Sequence, residues 1–260
     1  MAAADHEFDV LVAEAEAAPI AGWDFSWLDG RATEKRPPWG YSRMVAARLA
    51  GVDALLDVQT GGGEMLASVG ALPALTVATE PWPPNLPVAA TRLAPLGAHV
   101  VAAGGLDLPF RADTFDLVVC RHPTATPWPG IARVLRPGGT VLSQQIGGGN
   151  VAELAEALVG PSRSPFTRSP ARERAGAEAV GLEVVDVREA ALRCVFDDIA
   201  AVVYFLRLVV WIVPDFSVDR YRPQLRALHE RIRAEGPFVA TSHRFLIEAH
   251  MPPRTQAAER

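Results

Sequence analysis

Two acidic residues and a run of glycines are the residues of this sequence whose types and spacing could build a ligand site. The stretch LLDVQTGGGE, residues 55–64, contains Asp57 at the end of an apolar run and then three consecutive glycines. Glycine lets a ligand approach the backbone closely, and the N-terminus of a following helix offers unpaired N–H groups to a phosphate or carboxylate. Glu80 stands 23 residues after Asp57, where the next apolar run ends.

An acid at the end of the second strand of an open parallel sheet can accept hydrogen bonds from both hydroxyls of a ribose. The glycine run and Glu80 together therefore predict a nucleoside site at the carboxyl ends of the first two strands. The alternative is a tight strand-to-helix turn without a ligand, with Glu80 as a solvated acid. Asp57 could also serve mainly to orient its own loop by accepting backbone N–H bonds.

The elements that must position these residues alternate between short runs rich in Val and Leu and segments with helical signals. This alternation is typical of βαβ units around a parallel sheet. The predicted strands are ALLDVQ, ALTVATE, HVVAAG, FDLVVCRH, TVLSQQIG, LEVVDVRE and RFLIEAHM. Asn150 and Glu153 form a capping-box pattern that predicts the start of a helix, and Ser169-Pro170 predicts another.

Two further segments lie between the last two predicted strands. One is apolar, residues 198–213, and the other is amphipathic. The apolar positions of the second segment recur at helical spacing. They are Tyr221, Leu225, Leu228 and Ile232. We expect these segments to form a helical cap inserted into the domain.

Two more motifs follow the glycine run in order. They are GLDLPFRADTFDLVVCRH, residues 105–122, and IARVLRPGGTVLSQQ, residues 131–145. Together with the glycine run, they resemble the motifs of the class I S-adenosylmethionine-dependent methyltransferases of the small-molecule type, over roughly residues 50–147. The resemblance implies an α/β, Rossmann-like fold. Its seven-stranded, mostly parallel sheet has the order 3-2-1-4-5-7-6, with strand seven antiparallel, helices on both sides and the cap between strands 6 and 7.

The resemblance also implies a cofactor, S-adenosyl-L-methionine, and residues that bind it. Asp57, Gly61 and Gly63 match the glycine-rich loop that faces the methionine end of the cofactor, and Glu80 matches the acid that binds the ribose. Gly104 occupies the position of the residue that contacts the adenine amino group.

The sequence departs from the family pattern at two of these positions. Gln59 stands where the family usually has glycine, and we expect it to keep a negative φ, which would shift the approach of the loop. Gly104 replaces an acid, which removes a charged hydrogen bond of about 1.5–3 kcal/mol unless a backbone amide or Asp107 replaces it. Both departures predict weaker binding of the cofactor.

Methyl transfer from a sulfonium is an in-line displacement, so positioning the acceptor and excluding water supply most of the rate. A base helps only when the acceptor must lose a proton. His122 follows the fourth strand, where the acceptor meets the cofactor in the family, and it is the candidate catalytic base; the alternative is an ordinary hydrogen-bonded histidine. The resemblance implies that Asp116 supports the fourth strand, as the corresponding acid usually does in the family. Gln144 and Gln145 leave the fifth strand at the same edge, and the pleat directs one inward.

Composition restricts the classes of partner. The 260 residues carry a net charge of −5, which provides no overall attraction to a phosphate backbone, so we expect no nucleic-acid partner. Cys120 and Cys194 belong to no disulfide or zinc pattern, and the histidine spacing predicts no metal site. The acidic N-terminus lacks the basic region of a signal peptide, and the apolar run 199–213 is too short to span a bilayer. We therefore expect a cytoplasmic protein without a membrane partner.

The sequence thus predicts an N-terminal helix and aromatic loop over residues 1–45 and a methyltransferase-like domain over residues 46–260, with the helical insertion at about 196–236. The predicted activity is S-adenosylmethionine-dependent methyl transfer to a small-molecule acceptor. The alternative is a methyltransferase-fold protein with an altered cofactor site, which binds a nucleoside or small ligand and transfers no methyl group. An RNA methyltransferase is disfavoured by the negative charge. The sequence does not indicate the oligomeric state.

Overall fold

The computed structural model describes residues 2–20, 22–161 and 168–254, with the backbone alone for residues 2–5. Within these ranges the chain forms eight β-strands and nine α-helices. In chain order they are α1 (Ala2–Ala17), β1 (Ala32–Glu34), α2 (Tyr41–Arg48), β2 (Ala54–Val58), α3 (Glu64–Ala67), β3 (Leu75–Glu80), α4 (Asn85–Leu93), β4 (His99–Ala102), β5 (Phe115–Arg121), α5 (Trp128–Val134), β6 (Leu135–Ile146), α6 (Ala152–Val159), α7 (Pro170–Glu178), β7 (Glu183–Phe196), α8 (Ile199–Leu208), α9 (Val218–Glu235) and β8 (Phe238–His250).

The strands form one mixed sheet in the order β1-β7-β8-β6-β5-β2-β3-β4. The pairs from β6 through β5, β2 and β3 to β4 are parallel, and β8 is antiparallel to β6, as predicted for strand seven. The predicted count of seven strands is wrong, because β1 adds an eighth strand at the edge, antiparallel to β7. Without β1, the order of the remaining strands is the predicted 3-2-1-4-5-7-6. The fold is thus an α/β, Rossmann-like one with an added edge strand.

The point where the chain order of the parallel strands reverses lies between β2 and β5. From β2 the chain continues outward to β3 and β4, and then returns to pair β5 on the other side of β2. In open α/β sheets a crevice forms at the carboxyl ends of two such strands. All five residues of β2 are buried, which explains why this strand is a continuous apolar run up to its acid.

The described chain divides into two compact units. The first is formed by the described residues within 1–36, 148–167 and 191–243, and the second by those within 37–147, 168–190 and 244–260. The glycine run, the predicted acids and His122 all belong to the second unit. The predicted division into residues 1–45 and 46–260 remains a prediction.

The first unit builds its own core from α1, α6, α8 and α9. The first ten residues of the apolar run 199–213 form α8, a helix whose side chains are nearly all buried. The predicted apolar positions of α9 are buried in the same core. They are Tyr221, Leu225, Leu228 and Ile232. Within the ranges that the structure describes, no helix is both long and apolar enough to cross a membrane.

Both predicted helices form, and one of their two predicted caps is confirmed. The hydroxyl of Ser169 accepts a hydrogen bond from the N–H of Arg172 at 3.3 Å, and Pro170 opens α7. The capping box at Asn150 and Glu153 is wrong, because Val151 precedes α6 without a side-chain cap. Both side chains instead accept hydrogen bonds from the backbone of β8: Asn150 from His243 and Glu153 from Thr241, each at 3.1 Å.

Asp116 holds the amino end of β2 against β5, as predicted for an acid that supports the strand. Its Oδ2 accepts hydrogen bonds from the N–H groups of Asp53 and Ala54 at 3.0 and 2.9 Å, and its Oδ1 accepts one from Arg136 Nη1 at 2.6 Å. Partial burial acts to raise the pKa of the Asp116 carboxyl, but these bonds outweigh burial and lower it. The start of the strand that carries Asp57 is thereby fixed.

Replacing Asp116 with Ala is expected to lower the free energy of unfolding by about 2 kcal/mol, because two backbone N–H groups and a guanidinium lose a charged acceptor. Asp186→Ala is the matched control, since Asp186 has a similar exposed fraction and pairs with Arg188, but within the described ranges it bonds no backbone group of another strand. It should cost less than about 1 kcal/mol. Urea denaturation measures both, and equal losses would contradict the role assigned to Asp116.

Candidate functional site

The carboxylate of Glu80 lies directly against the glycine turn. Its Oε2 accepts a hydrogen bond from the N–H of Gly61 at 2.8 Å, and its Oε1 accepts one from the N–H of Trp82 at 2.9 Å. Glu80 ends β3 and is 3% exposed. Burial raises the pKa of its carboxyl, and the two N–H donors oppose that shift. The structure therefore brings the second-strand acid and the glycine turn together at one edge of the sheet.

Asp57 lies beneath the same turn at the end of β2. Its Oδ2 accepts a hydrogen bond from the hydroxyl of Thr60 at 2.7 Å, whereas its Oδ1 is buried and has no partner within the described part of the chain. Burial raises the pKa of the Asp57 carboxyl to about 7; the bond from Thr60 opposes the shift and the charge of Glu80 adds to it. The expected bonds from backbone N–H groups to this side chain are replaced by the Thr60 hydroxyl.

The glycines adopt the backbone conformation that their position requires. Gly61 and Gly63 have φ values of 66° and 81°, and a Cβ on Gly63 would lie 2.9 Å from Leu93 of α4. The helix that follows, α3, has only four residues, and the N–H of Gly61 is already donated to Glu80. The turn therefore offers fewer free N–H groups to an anion than the sequence predicts.

Gln59 contradicts the expectation of a negative φ, because its φ is 58°, in the left-handed region that glycine favours. The loop thus keeps the path that a glycine would give it. The Gln59 side chain extends to the loop after β5: its Oε1 accepts hydrogen bonds from the N–H and the hydroxyl of Thr124 at 2.8 and 2.9 Å. Its Nε2 donates to the carbonyl of Ala125 at 2.8 Å.

Gly104 lies in the loop after β4, at the same edge of the sheet. It is exposed, and a Cβ placed on it would have no neighbour within 4 Å, so this position borders open space. Two apolar side chains are exposed at the carboxyl ends of the neighbouring strands: Trp82 after β3 is 42% exposed and Leu106 after β4 is 71% exposed. Leu106 was not predicted as a site residue, and its signal in the sequence is only its place directly after Gly104 and Gly105.

His122 is held by a chain of hydrogen bonds that defines its tautomer. Trp39 Nε1 donates to Gln144 Oε1 at 2.8 Å, which leaves the Gln144 amino group to face His122 Nε2 at 3.0 Å. Because that amino group can only donate, Nε2 must be the unprotonated nitrogen and Nδ1 carries the proton. Burial, followed by the charges of Arg244 and Arg121, lowers the pKa of His122 well below its usual range. A base role would require the bond from Gln144 to break.

The two glutamines at the end of β6 point to opposite faces of the sheet, and both are buried. Gln145 Nε2 donates to Thr126 Oγ at 3.0 Å and to Glu173 Oε2 at 3.3 Å. Residues 122–127, which we call the β5–α5 loop, are therefore bonded by Gln59, Gln144 and Gln145. None of these contacts to the loop was predicted, because the sequence gives no signal for the partner of a glutamine.

No group of His, Cys, Asp and Glu side chains within the described ranges could hold a metal ion. Cys120 and Cys194 are both buried free thiols. Burial, together with the charge of Asp57, raises the pKa of the Cys120 thiol far above its usual range. Cys120 is therefore an inert part of β5 rather than a nucleophile.

Comparison with known proteins agrees with the geometry. The profile of the family described as "Methyltransferase domain" matches residues 56–143, and a search of curated proteins finds no match. A candidate methyltransferase from Bacillus halodurans has 18% identity and a TM-score of 0.58, covering 80% of this chain and 96% of its own.

Two further solved structures share the fold. The [4+2]-cyclase SpnF has 17% identity and a TM-score of 0.52, covering 82% of this chain and 80% of its own. A geranyl diphosphate methyltransferase, solved in complex with GPP and sinefungin, has 14% identity and a TM-score of 0.51, covering 81% of this chain and 77% of its own. At these identities the likeness concerns the fold alone.

Asp57 should make the stability of the protein fall as the pH rises. Its pKa is about 7 when folded against 3.8 for an ordinary aspartate, so the folded state binds more protons between these values. Relative to Asp57→Asn, the wild type should lose about 2–3 kcal/mol of unfolding free energy between about pH 5 and about pH 8.

Urea denaturation at both pH values measures this difference. Thr60→Val should have the opposite effect to Asp57→Asn. Removing the hydroxyl that bonds the Asp57 carboxylate should raise the pKa of Asp57 further, so the unfolding free energy should fall more steeply between the two pH values. Parallel stability profiles for the wild type and Asp57→Asn would show that the carboxyl is not perturbed by burial.

The tautomer of His122 can be observed by nitrogen NMR of the imidazole. The wild type should show a neutral ring protonated on Nδ1 at about pH 6, because the pKa is depressed and Nε2 accepts from Gln144. Trp39→Phe removes the donor that fixes the amide of Gln144, so both tautomers should become populated. Gln144→Glu places a carboxylate beside Nε2 and should raise the pKa of His122. An imidazolium in the wild type at this pH would contradict the hydrogen-bond chain.

Proposed function

We propose that this chain belongs to the class I S-adenosylmethionine-dependent methyltransferase family and transfers a methyl group from S-adenosyl-L-methionine to a small-molecule acceptor. The observation that carries the proposal is the 2.8 Å hydrogen bond between the Gly61 N–H and the Glu80 carboxylate. It supports a site in which the acid at the end of β3 and the glycine turn after β2 contact the same ligand, as expected for a nucleoside.

The residues at this edge fit an adenosyl group. Each Glu80 oxygen already accepts one backbone N–H and retains a lone pair for a ribose hydroxyl. Trp82 and Leu106 are exposed apolar surfaces that could flank a purine, next to the open space at Gly104. Asp57 Oδ1 is a buried acceptor that has no hydrogen-bond partner among the described residues. When bound, S-adenosyl-L-methionine supplies an electrophilic methyl group on a sulfonium.

The chain's own contribution to the reaction is positioning. The β5–α5 loop is held by side chains from neighbouring segments, so groups that line it keep a fixed place relative to the turn after β2. A fixed near-attack arrangement is what an in-line displacement needs. His122 remains the candidate base, and its Nε2 becomes available only when the bond from Gln144 opens. The net charge of −5 supports a small acceptor rather than a nucleic acid.

A second function is favoured by Gln59. Its side chain spans the crevice at the switch point, where a methyltransferase of this family usually has glycine. The fold is also that of the cyclase SpnF. The alternative proposal is therefore that the chain binds a nucleoside or small ligand and does not transfer a methyl group.

The binding step is tested by calorimetry with S-adenosylmethionine and S-adenosylhomocysteine. Glu80→Gln should weaken both affinities by about 10- to 100-fold, since one charged acceptor of the ribose is lost. Glu64→Gln is the matched control, because Glu64 directly follows the same turn as the first residue of α3 but is exposed and pairs with Arg92. It should change the affinity by less than about threefold. No binding by the wild type at millimolar concentration would refute the proposed cofactor.

The transfer step separates the two proposed functions. Radiolabelled methyl from S-adenosylmethionine should appear on a member of a broad panel of small apolar amines, phenols, thiols and carboxylic acids. Binding of the cofactor without transfer to any acceptor would favour the alternative.

A further inference from the structure

The carboxamide of Gln59 lies in a small polar site between two loops at the switch point, which we call the seat. It uses three hydrogen bonds: two to its Oε1 from Thr124 and one from its Nε2 to Ala125. Gly105, in the loop after β4, borders the same seat, because a Cβ there would lie 3.2 Å from Gln59 Nε2. The seat therefore depends on a glycine at position 105 as well as on the bonds to the β5–α5 loop.

The backbone conformation of Gln59 also indicates that the bonds of its side chain in the seat are needed. A φ of 58° is unfavourable for a residue with a side chain, and a glycine would adopt it without strain. The sequence nevertheless has a glutamine here. Its carboxamide bonds must therefore contribute enough to offset the strain of the backbone.

The chemistry of the seat matches an α-amino-acid group. The N–H and hydroxyl of Thr124 converge on one acceptor oxygen, as they would on a carboxylate. The carbonyl of Ala125 accepts from a nitrogen beside that oxygen, as it would from an ammonium group. A primary carboxamide has the same neighbouring acceptor and donor without the charges.

The seat lies between the carboxyl ends of β2 and β5, in the crevice where a ligand of this sheet is expected. We propose that Gln59 is a specificity-determining residue whose carboxamide occupies the subsite for the amino-acid tail of the adenosyl ligand. A ligand with that tail must displace the carboxamide, whereas a nucleoside without the tail binds beside it. This inference rests on the proposed nucleoside site and states which adenosyl ligands that site distinguishes.

The test compares two probes that share the adenosyl thioether and differ in the tail. S-adenosylhomocysteine carries the amino-acid group, and 5′-methylthioadenosine does not. Calorimetry on the wild type and on Gln59→Gly should show that the variant binds S-adenosylhomocysteine about 10- to 100-fold more tightly, because the tail no longer competes with three hydrogen bonds. The affinity for 5′-methylthioadenosine should change by less than about threefold.

Two variants of the β5–α5 loop provide a matched pair. Thr124→Val removes one donor to the Gln59 carboxamide but also one donor to the tail, so it should lower the selectivity gain of Gln59→Gly when the two are combined. Thr126→Val removes a hydroxyl of the same loop that bonds Gln145 instead, and it should leave the ratio of the two affinities unchanged. Thermal unfolding confirms that each variant is folded.

Three outcomes would overturn the inference. An unchanged or lower affinity of Gln59→Gly for S-adenosylhomocysteine would show that the tail does not compete with the carboxamide. An equal gain for both probes would show that Gln59 acts only by stiffening the loop. Failure of the wild type and the variant to bind either probe would refute the nucleoside site itself, and the inference with it; this outcome differs from the first two, in which a probe binds.

Discussion

The site depends on how the sheet holds two carboxylates at one edge. Asp57 is the next-to-last residue of β2 and Glu80 is the last residue of β3, its parallel neighbour, and both are almost fully buried. Like charges at such a site cannot both ionise without cost, and burial disfavours each charge further. Backbone N–H groups from the turn and from Trp82 support the charge on Glu80, whereas the pKa of Asp57 rises to about 7. The edge therefore has one well-supported carboxylate for hydroxyl ligands and one acid that titrates near neutral pH.

The turn between these acids combines two requirements that oppose each other. A left-handed backbone conformation at Gln59 costs about 1–2 kcal/mol for a residue with a Cβ, and each neutral hydrogen bond of its side chain contributes about 0.5–1.5 kcal/mol. Three such bonds to the β5–α5 loop can offset the strain. The same bonds that stabilise the loop occupy the crevice, so stability of the ligand-free site and room for a ligand are coupled.

The sequence predicts the parallel part of the sheet and the place of the site, because both follow from local patterns. Buried runs that end close to Asp57 and at Glu80 determine where the strands end, and glycines determine where the chain turns. Strand β1 was missed because its three residues contain no alternating pattern and form a strand only by pairing with β7. The capping box failed for a related reason, since bonds to β8 replaced the local cap of α6.

Neither the partners of polar side chains nor the strained backbone positions could be predicted from the sequence. The sign of φ at Gln59 follows from contacts with Thr124 and Ala125, which lie more than sixty positions further along the chain. In the same way, the tautomer of His122 depends on Trp39 and Gln144, which come from different elements. Spacing rules describe neighbours in sequence and periodic faces, and they contain no information on pairs of this kind.

The state of His122 constrains the acceptor. With Nε2 engaged by Gln144 and Nδ1 protonated, the ring presents no lone pair, and its depressed pKa shows that burial beside several arginines disfavours the cation that a base would become. An acceptor that must lose a proton needs a base, whereas one that already carries a free lone pair needs only to be aligned with the methyl group. The geometry at this end of β5 therefore favours acceptors whose nucleophilic atom is unprotonated at neutral pH.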